Sequence, residues 1–380
     1  METLPPEILG AVAFELAVAD VRHFRLVSRR CANAGFPALV RNISFLNTTQ
    51  SADALQTLRQ SPYASFGSTR HLNIYDGSWP LVSSLEEWAN HFLGRDSRHC
   101  TQASIQHAYK CYQDFIQREV LRTLETDIQL FRTLLVGFPS LREVTLSHVH
   151  AWRTQRLNLV HFRNLTNNIW MLPFFESFVS EAMVRLLPAI EDYPHVKRLN
   201  VDGLLDPRDL PIASHTTIQF LCLNSILAGE GLKESITCFL GSFPELTSLT
   251  IRTSPVGPIH HQRLPLNQLQ WSNLRFLAIA CTWISEDELL SFIERHNLRR
   301  LVLKQIVLTD GSWKSFFNRI RRLQLRPKIV IRGLFTATGS LLVLPYSESQ
   351  RLLDHFLKHK DFPWPFADRD GDVPVFRLSP

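Results

Sequence analysis

The sequence predicts an α/β fold: a small N-terminal helical unit, then a repetitive solenoid of parallel strands with helices on its convex side. Three observations carry this reading. A short motif, apolar-x-x-apolar-x-apolar, recurs along the body of the chain. Helical patterns fill several intervals between its copies, and a Pro-Pro pair opens two apolar-striped helical runs at the N-terminus.

Pro5 and Pro6 suit the first turn of a helix, where a missing N–H costs nothing, and Glu7 places a carboxylate near the positive end of the dipole. Ile8, Val12 and Leu16, with Leu9 and Ala13 alongside, give this helix one apolar stripe. After a break around Ala17 to Ala19, Asp20 favours a second start. Val21, Phe24, Val27, Cys31 and Ala34 then continue as one run at helical steps, which Gly35 and Pro37 are expected to stop. Leu39, Val40, Ile43 and Phe45 form a short apolar tail, so residues 1–48 read as one helical domain.

The clearest motif copies begin at Leu141, Val196, Ile218, Leu246, Leu274 and Leu298, with Leu72-x-Ile74 as an earlier, degenerate one. The last five start 22, 28, 28 and 24 residues apart. Each is the length of one strand, its apolar residues on one side and the residues between them on the other. Helices are expected over Leu232 to Phe243, Glu286 to His296 and Ser312 to Arg322. A single strand-helix unit cannot cover its own apolar face, so successive units must stack.

Two inserts interrupt the array. Residues 79–138 carry helical stretches at Leu85 to Leu93 and Ala108 to Val136; residues 151–194 carry the cluster Trp170 to Phe175, expected to pack against the array, and a helix over Ser177 to Leu187. Residues 336–380 read as a C-terminal cap or tail with a short helix from Ser347.

Composition narrows the function. Hydrophobic residues make up 45% and charged residues 20%, an ordinary globular balance, and 15 glycines leave little room for glycine-lined phosphate sites. The net charge of +6 is spread over many segments, which does not point to nucleic acid. Its densest run, Asn318 to Lys328, reads as a solvated helix end and turn. Six scattered cysteines without C-x-x-C read as reduced core thiols. Neither a signal peptide nor an apolar run of about 18 residues stands out, so a cytoplasmic or nuclear protein without a membrane partner is expected.

Chemistry-bearing motifs are weak. His148-x-His150 and the pair His355 and His359 lack further metal ligands nearby in sequence, and Asp368 to Asp372 misplaces the glycine and glutamate of a calcium loop. With no Walker loop, G-x-S-x-G or G-x-G-x-x-G, the expectation is a protein without catalytic residues, metal or cofactor.

The order Leu4-Pro5-x-Glu7-Ile8-Leu9, Leu16, Asp20-Val21 and Phe24-x-Leu26-Val27-Ser28-Arg29-Arg30 resembles the F-box family. In that family the Leu-Pro turn and the helices behind it dock onto a Skp-type adaptor, which connects to a cullin and a ubiquitin-conjugating enzyme. The resemblance implies adaptor contact by Leu4, Pro5, Ile8, Leu9, Phe24, Val27 and Ser28. Cys31 stands where the family often has tryptophan, which removes a large anchor. Residues 66–335 resemble an irregular leucine-rich repeat domain, except that Val149, Leu204, Ile226 and Ile306 replace the consensus asparagine, so no asparagine ladder is expected.

Together the resemblances imply a substrate receptor of an SCF-type ubiquitin ligase, with an unknown target protein held on the strand surface. The residues between the repeat apolars are then expected to face it: Arg198, Asn200, Phe220, Ser248, Thr250 and Arg300, and also Glu143, Thr145, Cys222 and Val302. The rival expectations are a leucine-rich scaffold without a ligase link, its N-terminal helices only a cap, and a hydrolase whose residues meet only in space.

Overall fold

In a computed structural model of the chain, the residues described are 4–60, 66–92, 100–148, 160–174, 178–211, 213–254, 263–323, 327–336, 339–340, 346–359, 361–366 and 369–370. The chain is α/β and divides into two units, Met1–Val196 and Lys197–Pro380.

The first unit begins with α1 (Pro6–Glu15), α2 (Val18–Leu26) and α3 (Arg29–Leu39). Pro6 occupies the first helical position, as its fixed φ favours. Both α1 and α2 pack on α3, and Leu9, Ala13, Phe24 and Cys31 close a small core ringed by Leu16, Ala34 and Ala38. Only half of the expected stripe of α1 is therefore buried, because Ile8 and Val12 stay at the surface.

The run from Asp20 to Ala34 is two helices rather than the expected one. Ser28 is extended, with φ −162°, and its hydroxyl accepts the Cys31 N–H at 3.2 Å, which caps α3. Gly35 and Pro37 do not end α3, which runs on to Leu39. Gly35 instead allows close packing of α2: a Cβ there would lie 2.7 Å from Cγ of Arg25 and 3.2 Å from a ring carbon of Phe24.

The expected apolar tail is a strand, β1 (Asn42–Leu46), which pairs in parallel with β2 (His71–Asp76), and β2 with β3 (Glu143–His148). Leu72 and Ile74 of the degenerate copy lie in register with Val144 and Leu146. Around these strands are α4 (Thr49–Gln60), α5 (Leu85–Phe92), α6 (Gln102–Val120), α7 (Leu124–Val136), α8 (Val160–Ile169) and α9 (Ser180–Glu191). The stretch Ala108 to Val136 is broken between α6 and α7, where Thr123 and Thr126 cap each other's backbone N–H. The two inserts share one core, with Trp88, Tyr112 and Phe115 from the first and Phe162 and Met171 from the second. Trp170 of the expected aromatic cluster packs there on Trp88 at 6.3 Å, Phe174 is exposed, and Phe175 lies outside the described residues.

In the second unit the strands are β4 (Arg198–Asp202), β5 (Phe220–Ile226), β6 (Ser248–Thr253), β7 (Phe276–Ala280), β8 (Trp283–Ile284), β9 (Arg300–Leu308), β10 (Lys328–Thr336), β11 (Gly339–Ser340) and β12 (Arg369–Asp370). β4, β5, β6, β7, β9 and β10 pair in parallel in that order, with Leu199, Leu221, Leu249, Leu277, Leu301 and Ile329 in one row. The six marked copies of the motif all place their second apolar residue at the inner face of a strand, fully buried. Each copy also joins its neighbour alike. The N–H groups of Gln219 and Phe220 converge on the Lys197 carbonyl, those of Thr247 and Ser248 on Gln219, and those of Arg275 and Phe276 on Thr247.

The buried face of this sheet meets α10 (Lys233–Gly241), α11 (Glu286–His296), α12 (Trp313–Arg322) and α13 (Tyr346–Lys358), with short 3-10 turns at Pro207–Asp209 and Leu266–Gln268. These follow the strand order. The Pro207–Asp209 turn packs on α10, Thr237 of α10 bonds Gln268 at 2.9 Å, the Leu266–Gln268 turn packs on α11, α11 on α12, and α12 on α13.

Ile226 and Ile306, at the expected asparagine positions, are fully buried, Leu204 is half-buried, and Val149 is outside the described residues. The strands are instead re-aimed by a row of left-handed residues, Cys281 (φ 60°), Gln305 (φ 52°) and Gly333 (φ 67°), which follow the register partners Ala280, Lys304 and Arg332.

Residues 336–380 contribute a cap rather than a loose end where they are described. The Gln350 side chain donates to the Ile329 carbonyl at 2.8 Å and accepts the Ile331 N–H at 2.9 Å, so α13 satisfies backbone groups along the edge of β10. Trp364 packs between Phe317 of α12 and Phe356 of α13.

Candidate functional site

Two surfaces gather the candidate residues, one in each unit. On the first, α1 begins behind Leu4 and Pro5, and Arg30 of α3 donates from Nη2 to the Leu4 carbonyl at 2.8 Å. That bond draws the α2–α3 junction towards the start of α1. Ile8 (48% exposed) and Val12 (42%) lie one turn apart on α1, Leu4 (37%) precedes that helix, and Leu26 (83%) and Val27 (57%) cover the junction. Apolar side chains this exposed on so small a unit form a patch suited to a partner.

The residues that the F-box resemblance assigns to adaptor contact thus divide. Leu4, Pro5, Ile8 and Val27 lie at the surface; Leu9 and Phe24 are buried in the unit's own core; and Ser28 caps α3. Cys31 is a core residue of this unit, packed with Leu9, Ala13 and Phe24. Leu26 and Val12, absent from the sequence-based set, join the exposed side. Helical spacing marks Val12 beside Ile8, whereas Leu26 is exposed because α2 ends there.

The second surface is the outward face of β4 to β10. Strand alternation turns Leu199, Leu221, Leu249, Leu277, Leu301 and Ile329 inward, leaving Arg198, Phe220, Ser248, Phe276, Arg300 and Lys328 as one outward row. Six residues expected there, Arg198, Asn200, Phe220, Cys222, Ser248 and Thr250, line a shallow depression of about 560 Å³, together with Arg275 and Phe276. Arg300 stands beside it with its guanidinium 5.6 Å from the Phe276 ring centroid, and Arg198 lies 4.7 Å from that of Phe220.

Two expected members differ. Val302 is buried (6% exposed), packed between neighbouring strands instead of facing outward freely. Glu143 and Thr145 belong to the first unit, where His71 Nε2 lies 2.8 Å from Thr145 Oγ1 and 3.8 Å from Glu143 Oε1. Phe276 was missed although it occupies the same motif position as Phe220, one before the inner leucine.

Groups with chemical potential serve structure elsewhere. Of the six free cysteines Cys31 and Cys281 are buried and Cys111 packs half-buried against the core of the inserts, whereas Cys100 and Cys222 are half-buried and Cys238 is exposed, so the expectation of core thiols fails for Cys238. Burial pushes the Cys281 thiol upward, opposite to the shift that activates a nucleophile. His296 is buried, accepts the Trp271 N–H on Nε2 at 3.1 Å, and faces the Phe292 carbonyl with Nδ1 at 2.8 Å. Its pKa is lowered, first by desolvation.

The His355 and His359 rings lie 4.2 Å apart, tilted by 38°, and His150 and residues 371–380 lie outside the described residues. Among the described residues no group of three His, Cys, Asp or Glu is placed to hold a metal ion, and no helix is long and apolar enough to cross a membrane. The basic run at Asn318 to Lys328 is not merely solvated. Arg319 pairs with Asp287, and Arg321 lies over the Phe356 ring and donates to carbonyls at the end of α13; Arg326 is outside the described residues.

Buried charge holds the insert in place. Arg122, between α6 and α7, donates to Asp127 and Glu119 at 2.7 Å and to the Asn47 carbonyl and side chain at 3.0 and 2.7 Å. This clamps the insert to the end of β1. Comparison with known proteins returned no match, neither to the model of any protein family nor to a curated protein.

Proposed function

We propose that this chain is a non-enzymatic substrate receptor of an SCF-type ubiquitin ligase. Its N-terminal helices dock on a Skp-type adaptor joined to a cullin, and the outward strand face of the second unit holds a target protein. The function is positional: holding the target near a conjugating enzyme raises the effective concentration of the reacting groups.

The observation that carries this reading is the set of exposed apolar side chains Leu4, Ile8, Val12, Phe14, Leu26 and Val27 on helices whose small core is closed by Leu9, Ala13, Phe24 and Cys31. It falls on the segment whose residues resemble the F-box. Co-purification of the full chain with a Skp-type adaptor tests it. Wild type is expected to retain the adaptor and the variant Leu4→Ala/Pro5→Ala to lose it. Equal retention by both, or none by either, refutes the reading and leaves a repeat scaffold without a ligase link.

A further inference from the structure

We infer that the outward face of β4 to β10 takes an acidic polypeptide segment, anchored by one apolar side chain between Phe220 and Phe276; the inference rests on the receptor reading and names its class of target. Charge is the first reason. The outward positions of these strands carry Arg198, Arg252, Arg300, Lys304, Lys328 and Arg332 against one acid, Asp202. The acids of the same unit ride elsewhere: Glu234, Asp287 and Glu294, for example, sit on α10 and α11. A chain with a net charge of only +6 thus gathers a strongly cationic surface on one sheet face, six cations against one acid, which favours a partner of opposite sign.

Shape is the second reason. Phe220 and Phe276 flank Ser248 in the same row, two strand spacings or about 9.6 Å apart at the backbone. The small serine leaves a slot between the rings, and it opens into the depression described above. Each ring is backed from the strand on its far side by a guanidinium, Arg198 on Phe220 and Arg300 on Phe276. The slot is therefore apolar within and cationic at both ends, which suits an apolar side chain followed and preceded by carboxylates.

The surface beyond the slot has the same character. On β9 and β10 the cations Arg300 and Lys328 form one row and Lys304 and Arg332 another, with the half-buried Val330 between them beside the buried Val302. Single-stranded nucleic acid calls for a succession of stacking rings along its path. Outward positions past Phe276 hold Ala278, Ala280 and Val330 instead, so this part of the face favours aliphatic side chains flanked by carboxylates.

The test is fluorescence anisotropy with the purified full chain and three labelled probes: a short Glu/Asp-rich peptide with a central Phe-Leu pair, its Gln/Asn isostere, and a poly-uridine strand of matched charge. The acidic peptide is expected to bind, more weakly at higher salt, and the isostere to bind at least about tenfold more weakly. Arg300→Glu/Lys304→Glu and, independently, Lys328→Glu/Arg332→Glu change exposed side chains, and each is expected to weaken the acidic peptide by about tenfold or more. Equal binding of the isostere, full binding by both folded variants, or tighter binding of poly-uridine overturns the inference. Adaptor co-purification from the same preparations separates the two readings. Peptide binding by a chain that takes no adaptor supports the acidic-segment inference and sinks the ligase reading; adaptor binding by a chain that ignores the peptide does the reverse.

Discussion

Truncating the two ends of the exposed patch, Ile8→Ala/Leu26→Ala, separates docking from folding. Leu26 is 83% exposed and Ile8 48%, so an adaptor that covers them removes from water a little more than one aliphatic side chain. Full burial of such a side chain contributes about 1.5–3 kcal/mol, and alanine keeps part of it, so the double variant is expected to lose about 2–3 kcal/mol of binding. That corresponds to a Kd raised about 30- to 150-fold. Stability should change by no more than about 1 kcal/mol, since Leu26 is almost fully exposed and Ile8 only half covered. Leu9→Ala is the opposite control: at 1% exposure it empties the core between α1 and α3 and is expected to cost about 2–5 kcal/mol of folding free energy. The measurements are calorimetric titration with a purified Skp-type adaptor and thermal unfolding of all three proteins. A folded Ile8→Ala/Leu26→Ala chain that binds the adaptor with wild-type Kd refutes the assignment of the patch. A fall in its Tm as large as that of Leu9→Ala refutes the exposure on which the estimate rests.

Three further outcomes follow from buried polar groups. Arg122→Met leaves the buried Asp127 with only the Arg185 guanidinium at 3.3 Å, so a loss of about 3 kcal/mol is expected in denaturant unfolding, and a change under 1 kcal/mol would show that the clamp is dispensable. Gln350→Leu strips the Ile331 N–H and the Ile329 carbonyl of their partner, with an expected cost of about 1–3 kcal/mol and faster hydrogen exchange at Ile331; unchanged exchange there refutes the edge-capping role. His296 binds its proton less readily when folded than at its ordinary value of 6.5, because burial opposes the charge and Nε2 must accept from Trp271. The unfolded chain therefore takes up more protons, and its contribution to stability is intact above about pH 6.5 and lost as pH falls towards the lowered folded value. A His296 resonance that titrates in the native protein at or above 6.5 contradicts this.

How far the sequence reached differs by element. The strands at Leu72, Leu141, Val196, Ile218, Leu246, Leu274 and Leu298 were legible because one-sided burial of a strand imposes a period of two that survives in the residues themselves. The same rule extends to Phe276. Glu286 to His296 was legible to its ends, because Ser285 caps it and Asn297 leaves it in the left-handed region. At the N-terminus the period was right but its outcome was not: Ile8 and Leu9 fit one apolar stripe equally well, and only the packing of α3 decides that Leu9 is covered and Ile8 is not.

Gly35 shows the same limit, since a helix stop and a close helix contact ask for the same residue, and the Arg25 and Phe24 atoms nearby distinguish them. What the sequence by itself determined was thus the strands of the repeated copies and which of their sides is buried, with the helices that fill several of the intervals between them, because these depend on neighbours along the chain. Tertiary structure alone decided which apolar residues of α1 stay exposed, that Phe220 and Phe276 flank one slot, and that cations from four strands share a face. Those properties depend on register between segments separated by 22 to 28 residues, and local period carries no record of it.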